Sequence, residues 1–522
     1  SSLPDEAVYA RVRYGNVEHY VPLLPLTFDV TIPTTTFSYA GATDRSLQVQ
    51  SHYYDARTDS YAPCPWTAEF STDGGVTWTA SQSSMLSRFP AKGAGSDPRN
   101  LAAYPADYKF NVLTQTGVSD NSHNEALAAA KPEIGVYDLS TKGGTEPMNT
   151  ANCYVVNAPG TYTLPLVYGN AVKNGGIHSA AYTSAVSGNY IITNFVNHLD
   201  ARITDPYIYN NAGCTPAGAC LVWQDAYSLV TSVELTPDGK YLRFDVDHST
   251  IRQGNAVVAV LDASGMIMWS WHIWCTDHPA DQVYMANKYG NSYTFMDRSL
   301  GATSALDDTG SLGMSYQWGR KDPIPGSSKF YDMTEPTLYG SVTKVSVAAS
   351  DASTGTIANA IQNPVTFLKA ADWLFAGRNN YLWGNPQGEE ELTATHQKSI
   401  YDPCPPGYRI PGKDAFSIFT KTGENTTDPA QHNVVNTSPT KRGWYLYYAA
   451  TGSGEQAWFP YNGCRYYSSG ALNRGSFYYY WTSAPSAGTK SCCLAFKNDW
   501  KEVDPLYTFQ RGNAQTIRCV KE

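Results

Sequence analysis

Asp402-Pro403-Cys404-Pro405-Pro406-Gly407-Tyr408-Arg409-Ile410-Pro411 opens the last part of this chain. Gly475-Ser476-Phe477-Tyr478-Tyr479-Tyr480-Trp481-Thr482-Ser483 follows, and Thr516-Ile517-Arg518-Cys519-Val520 closes it. Glycine and proline pin turns at these positions. Cys404 and Cys519 bracket the segment, and the aromatic block is too rich in rings for an ordinary loop. Together the three stretches predict a compact, loop-rich module closed at its two ends, a form suited to binding rather than to covalent chemistry.

Outward from there, 522 residues exceed one hydrophobic core, so two to four domains are expected. Tyr (38), Gly (42) and Pro (31) are abundant while charged residues make up only 16%, which favours strands and turns over helices. A net charge of -9 excludes the basic stripe that nucleic acid requires. No Lys/Arg cluster offers a surface to anionic lipid. The most apolar stretch, Ala256 to Cys275, is cut by Asp262-Ala263-Ser264-Gly265 and reads as a hairpin rather than a membrane span. Ser1 opens no signal peptide. Ten cysteines without a CxxC pair fit an exported, oxidising setting, with Cys214 and Cys220 able to close a small ring.

Three regions follow from the pattern. In residues 1–132, Tyr20 to Ile32 reads as strands, and Trp66-Thr67-Ala68-Glu69-Phe70-Ser71 returns through Thr72-Asp73-Gly74-Gly75 to Val76-Thr77-Trp78. Trp66 and Trp78 are expected on paired strands in the core. A polar stretch through Lys131-Pro132 marks the first boundary. Residues 133–280 hold short, closely spaced strands ending in the hairpin Val257–Leu261 and Met266–Trp274, which suggests a sandwich. In 281–522 helices are expected at 364–377 and 414–420, with strands again from Trp444.

Residues 281–522 resemble the major paralogous domain of Bacteroidetes surface proteins. The matching motifs are Met296-Asp297-Arg298-Ser299-Leu300-Gly301-Ala302, Tyr316-Gln317-Trp318-Gly319-Arg320-Lys321-Asp322-Pro323, Tyr401 to Pro411, Tyr466-Tyr467-Ser468-Ser469-Gly470, Tyr480-Trp481-Thr482-Ser483 and Ile517-Arg518-Cys519-Val520. That family is related to the C-type-lectin and formylglycine-generating-enzyme folds. Thr150-Ala151-Asn152-Cys153-Tyr154-Val155, Gly254-Asn255-Ala256-Val257 and Trp269-Ser270-Trp271-His272-Ile273-Trp274 resemble the β domain of fimbrillin-like proteins. The first region is similar to Ig-like or carbohydrate-associated modules. The resemblance implies a mainly β, multidomain chain: two Ig-like β-sandwich modules, 1–132 and 133–280, then an α+β C-type-lectin-like domain, 281–522. It also implies the outer surface of the cell, as a lipoprotein or pilus-associated adhesin. Membrane contact would run only through an N-terminal lipid anchor that these residues do not carry.

Catalytic chemistry finds little footing. Cys492-Cys493 is the one adjacent pair, and adjacent strand residues face opposite ways. One of the two is expected to bridge Cys464, and Cys519 to bridge Cys404. A formylglycine-generating-type enzyme acting through Cys492 or Cys493 is the remote alternative, because no basic neighbourhood activates a thiolate. His272 alternates with Trp271 and Trp274 and reads as packed. No HExxH, GxSxG or P-loop occurs. No cofactor is expected. Asp499, Glu502 and Asp504 are the best calcium candidates, against a solvated acidic loop.

Tyr466, Tyr467, Phe477, Tyr478, Tyr479, Tyr480 and Trp481 crowd together, and strand alternation sends their rings to opposite faces. Tyr466, Tyr467, Arg474, Tyr478, Tyr480 and Trp481 are therefore the candidate ligand-binding residues, a tyrosine packing layer being the equal alternative. The expected function is a non-catalytic surface binding protein, the ligand a glycan or a surface protein. Pilus subunits or a TonB-dependent transporter complex are the possible assemblies, the latter as an accessory lipoprotein of nutrient uptake.

Overall fold

The computed structural model describes the chain apart from residues 1–7, 24–26, 32–44, 57, 72–77, 81–85, 88, 113–121, 131–134, 185–190, 193, 331–332, 376–378, 385–396, 436–441, 474, 476 and 498–501. With 37% strand against 7% helix the protein is mainly β, in several sheets, with no closed barrel among the described residues. It divides into two compact units, Ser1–Asn121 and Ser122–Glu522.

The first unit is a set of small antiparallel sheets. Val8–Tyr14 pairs Val17–Leu23, and Gln50–Asp55 lies between Thr27–Thr31 and Ser60–Pro63. Its core is small: Val49 and Phe110 are buried, with Trp66, Phe89 and Tyr108 against them. Trp66 stands edge-on to Tyr108 at 5.5 Å. Its strand, Trp66–Thr67, pairs Lys92–Gly93 rather than the return strand expected. Trp78 is 61% exposed, which corrects its expected core role, and the turn at 72–77 lies outside the described residues. Phe70 and Thr79 form an antiparallel bridge.

The second unit opens with the helix Ser122–Ala129, inside the polar stretch expected to be a boundary. Asn124 accepts from the Gln253 N–H at 2.7 Å and ties that helix down. Two four-stranded sheets follow. One orders Val136–Asp138, Gly160–Pro165, Tyr241–Val246 and Thr231–Leu235; the other orders Cys153–Val156, Ile267–Cys275, Gly254–Leu261 and Gly218–Gln224. The expected hairpin is present, its turn closed by the Asp262 carboxylate, which accepts from the Ser264 and Met266 N–H groups. Both sheets feed one hydrophobic core.

That core does not stop at residue 280. Trp223, Trp269, Trp271 and Trp274 share it with Trp318, Trp373, Trp383 and Trp481. Asn152 donates to the carbonyls of Ile400 (2.6 Å) and Asp402 (2.8 Å), and Trp274 to Ala302 (3.1 Å). Gly169, at φ +43°, lies so close to Ile400 that a Cβ would stand 2.3 Å from its carbonyl oxygen. The segments expected as separate modules, 133–280 and 281–522, are therefore one packed body.

The regular structure of its C-terminal part is mostly strand. A mixed sheet runs Leu472–Asn473, Cys464–Arg465, Ala514–Thr516, Phe477–Pro485, Lys490–Lys497 and Val503–Gln510, with Ser315–Gln317 on Ala514–Thr516. The helix expected at 364–377 is instead preceded by a short one, Ile357–Gln362, capped by the Thr356 hydroxyl. Thr366–Lys369 is a strand parallel to Ser346–Ala349. Phe367 and Leu368 are both buried, as on a strand covered on two faces, and β-branched Val365 and Thr366 favour that form. At 414–420 only the single turn Ser417–Phe419 forms.

The Gly254-Asn255-Ala256-Val257 motif is core wiring. Asn255 donates to Asp225 (2.8 Å) and to the Gly301 carbonyl (3.0 Å) and contacts His272 Nε2 at 2.9 Å. Burial lowers the His272 imidazole to about 3, so it packs neutral and its Nε2–H donates to Asn255. Burial lifts the Asp225 carboxyl to about 6, against the Asn255 hydrogen bonds. A raised carboxyl keeps its proton in the native state after the unfolded chain has lost it. Its contribution therefore falls as pH rises from about 4 through 6, by up to about 3 kcal/mol. Asp225→Asn should gain on the parent by that order between pH 4 and pH 7 in urea titrations; a pH-independent difference would refute the assignment.

Candidate functional site

The aromatic block lies in the core. Tyr478, Tyr480 and Trp481 are fully buried, which corrects their expected role as ligand contacts: no ring face is open to stack on. The alternation read from the sequence holds, but both sides are covered. Tyr478 stacks on Tyr461 at 4.1 Å, and Tyr480 meets Phe459 at 5.1 Å. On the other face Tyr479 stacks on Phe509 at 4.5 Å, and Trp481 donates its indole N–H to the Tyr316 carbonyl at 2.9 Å. Tyr466 and Tyr467 are half-buried, their rings 4.8 Å apart. Arg474 and Asp499 lie outside the described residues.

Glu502 is half-buried, 3.9 Å from Lys497. Burial raises the Asp504 carboxyl, which accepts from the Leu506 N–H at 2.9 Å. Among the described residues no three His, Cys, Asp or Glu side chains gather as a metal site. Cys404 and Cys519 form a disulfide. Cys464, Cys492 and Cys493 are buried and in no disulfide, so the expected bridge to Cys464 is absent, as is one between Cys214 and Cys220. Burial holds the Cys493 thiol well above its ordinary range, the reverse of an activated nucleophile.

Most of the other motifs are internal wiring too. Arg298 is held by Asp277 (2.8 Å) and Asp297 (2.8 Å). Gln317 donates to the Leu368 and Gly512 carbonyls, and Lys321 to Ser270 and Asp322.

Several motifs reach a cavity. The Pro405-Pro406-Gly407-Tyr408 turn forms a wall of a cleft of about 750 Å³, within the range of about 300–1,000 Å³ usual for ligand pockets. Tyr137, Tyr154 and Tyr162 also line it, with Val155, Val156 and Met296 as apolar lining. Gly407, at φ +79°, needs glycine only for its backbone, because a Cβ there would meet nothing within 4 Å. Tyr408 donates its hydroxyl to Asp281 at 2.6 Å. Burial first, and Asp281 second, push that phenol above its ordinary range.

The turn is anchored from behind by Lys398. Its buried ammonium donates to the carbonyls of Cys404 (2.9 Å), Pro405 (2.9 Å) and Tyr408 (2.6 Å). Burial lowers its pKa, while Asp402 and Glu522 hold the charge in place. Burial lifts Asp402 to about 6 against the pull of Lys398 and of the Ile410 and Cys404 N–H groups. Burial works to raise Glu522 too, but Lys398 and Lys173 outweigh it and leave that carboxyl below its ordinary range. Lys142 pairs with Glu146 at 2.7 Å, Lys173 with Glu522, and Lys521 with Asp281. Desolvation and the nearby Lys142 lower the His278 imidazole below its ordinary range, with Asp277 opposing.

Sequence reasoning missed this cleft. Its lining runs from Tyr137 to Glu522 and joins segments assigned to different modules. The cleft and the shared core define a mainly β chain with a ligand-sized pocket. Compared with protein-family models, with curated proteins and with solved structures, it matches none.

Proposed function

We propose that this chain is a non-catalytic binding protein of a bacterial cell surface, and that its ligand lodges in the cleft behind the Pro405–Tyr408 turn. The observation that carries the reading is the cleft itself: ligand-sized, lined by four tyrosines, and walled by a turn that a buried lysine holds rigid. Tyr137 and Tyr408 keep part of their rings open, and rigid aromatic area binds at low entropic cost. The resemblance to fimbrillin-like and major-paralogous-domain proteins adds the setting: Ig-like strands before a lectin-like C-terminal part, carried on the outer surface, with a glycan as the ligand. The experiment is capture of the whole chain on an oligosaccharide array, with calcium and with chelator, beside Asn157→Trp, which fills the cleft from an exposed position. Capture lost in the variant at unchanged melting temperature supports the reading. Undiminished capture by the variant, or none by the parent, sinks it.

A further inference from the structure

Within that reading, which this inference rests on, we propose that the cleft is built for an uncharged, hydroxyl-bearing ligand, and that Asn170 is its specificity residue, its Oδ1 accepting a hydrogen bond from one ligand hydroxyl. Asn170 lines the cleft and is 4% exposed. Its Nδ2 donates to the Lys398 carbonyl at 2.9 Å. That bond sets the amide's orientation, because the flipped amide would face oxygen to oxygen. Oδ1 is then left without a partner among the described residues. A buried acceptor without a donor is costly, and a donor brought by a ligand removes that cost.

The charges on the wall argue for a neutral guest. Lys142, Lys173 and Lys521 each already face a carboxylate. An entering anion would find no uncommitted ammonium and would have to break a pair, and an entering cation would compete with a lysine already in place. Desolvation for either is poorly repaid. Tyr137 and Tyr408 are half-buried on that wall and offer apolar ring area, which suits a guest with C–H faces, while Tyr154 and Tyr162 are buried beneath it.

The test measures affinities of the full chain for neutral oligosaccharides (hexose- and N-acetylhexosamine-terminated) and for their uronate- and sulfate-bearing counterparts. A deoxy series on the tightest neutral sugar follows, on the parent and on Asn170→Leu. The expected result is neutral over acidic binding and a loss of roughly 10- to 100-fold in Asn170→Leu. One deoxy position should weaken the parent but leave Asn170→Leu unchanged; a purely structural asparagine would not produce that coupling. Acidic sugars binding as well as neutral ones, or no deoxy position coupled to Asn170, overturns the inference. If Asn157→Trp still blocks that binding, the cleft reading stands without it. Binding of neither class overturns both.

Discussion

Cys404→Ser/Cys519→Ser is expected to lose about 4–5 kcal/mol of unfolding free energy relative to the oxidised parent. The two residues are 115 apart in sequence, and a bridge closing a loop of that length removes about that much chain entropy from the unfolded state. The sulfurs are fully buried and their Cα atoms lie 6.1 Å apart. Cys404 begins the turn that walls the cleft, while the Cys519 carbonyl accepts from the Met296 N–H. The bridge thus ties the end of the chain to the cleft wall. Urea titration of the oxidised parent and the double serine variant measures the difference, and a loss under about 1 kcal/mol would show that the unfolded chain is not constrained in this way. Alkylation of the denatured, unreduced protein should label eight thiols, the remaining free cysteines.

Lys398→Met is expected to cost about 3–5 kcal/mol, the range for removing one partner of a buried charge cluster. Methionine keeps most of the volume but leaves the Cys404, Pro405 and Tyr408 carbonyls without their donor. It also leaves Asp402 buried without the cation that tempers its rise to about 6. The pH dependence has a definite sign. A carboxyl raised in the native state loses its contribution as pH climbs from its unfolded value through its folded one. Without Lys398 the folded value rises further, so the deficit of the variant should grow from pH 5 to pH 8. Ligand capture should fall with it, because the turn is the cleft wall. A deficit that is flat with pH, or capture at parental affinity, would argue against this role.

How far the sequence could be read is clearest at two places. The hairpin around Asp262–Gly265 was legible because an Asx-type turn and alternating strands are local signals. Phe367, Leu368, Ala371 and Leu374 fit a helical face equally well, and a short apolar run does not reveal its partner, so a parallel strand was read as a helix. The candidate site fared similarly. Alternation of the rings at 478–481 was correct, but whether the outer face meets water depends on what packs against it. Here Phe509 and Tyr507, from a strand later in the chain, cover Tyr479.

Local chemistry therefore settled the mainly β character and the turns; of the two expected bridges only Cys404–Cys519 formed, and the fold decided which. The β character and the turns follow from residue type and from spacing along the chain. Tertiary structure alone decided that one core joins residues before and after 280, that the aromatic block is interior, and that a cleft brings Tyr137 together with Glu522. Burial is a property of pairs of distant segments, and a strand covered on both faces carries the same letters as one that keeps a face in water.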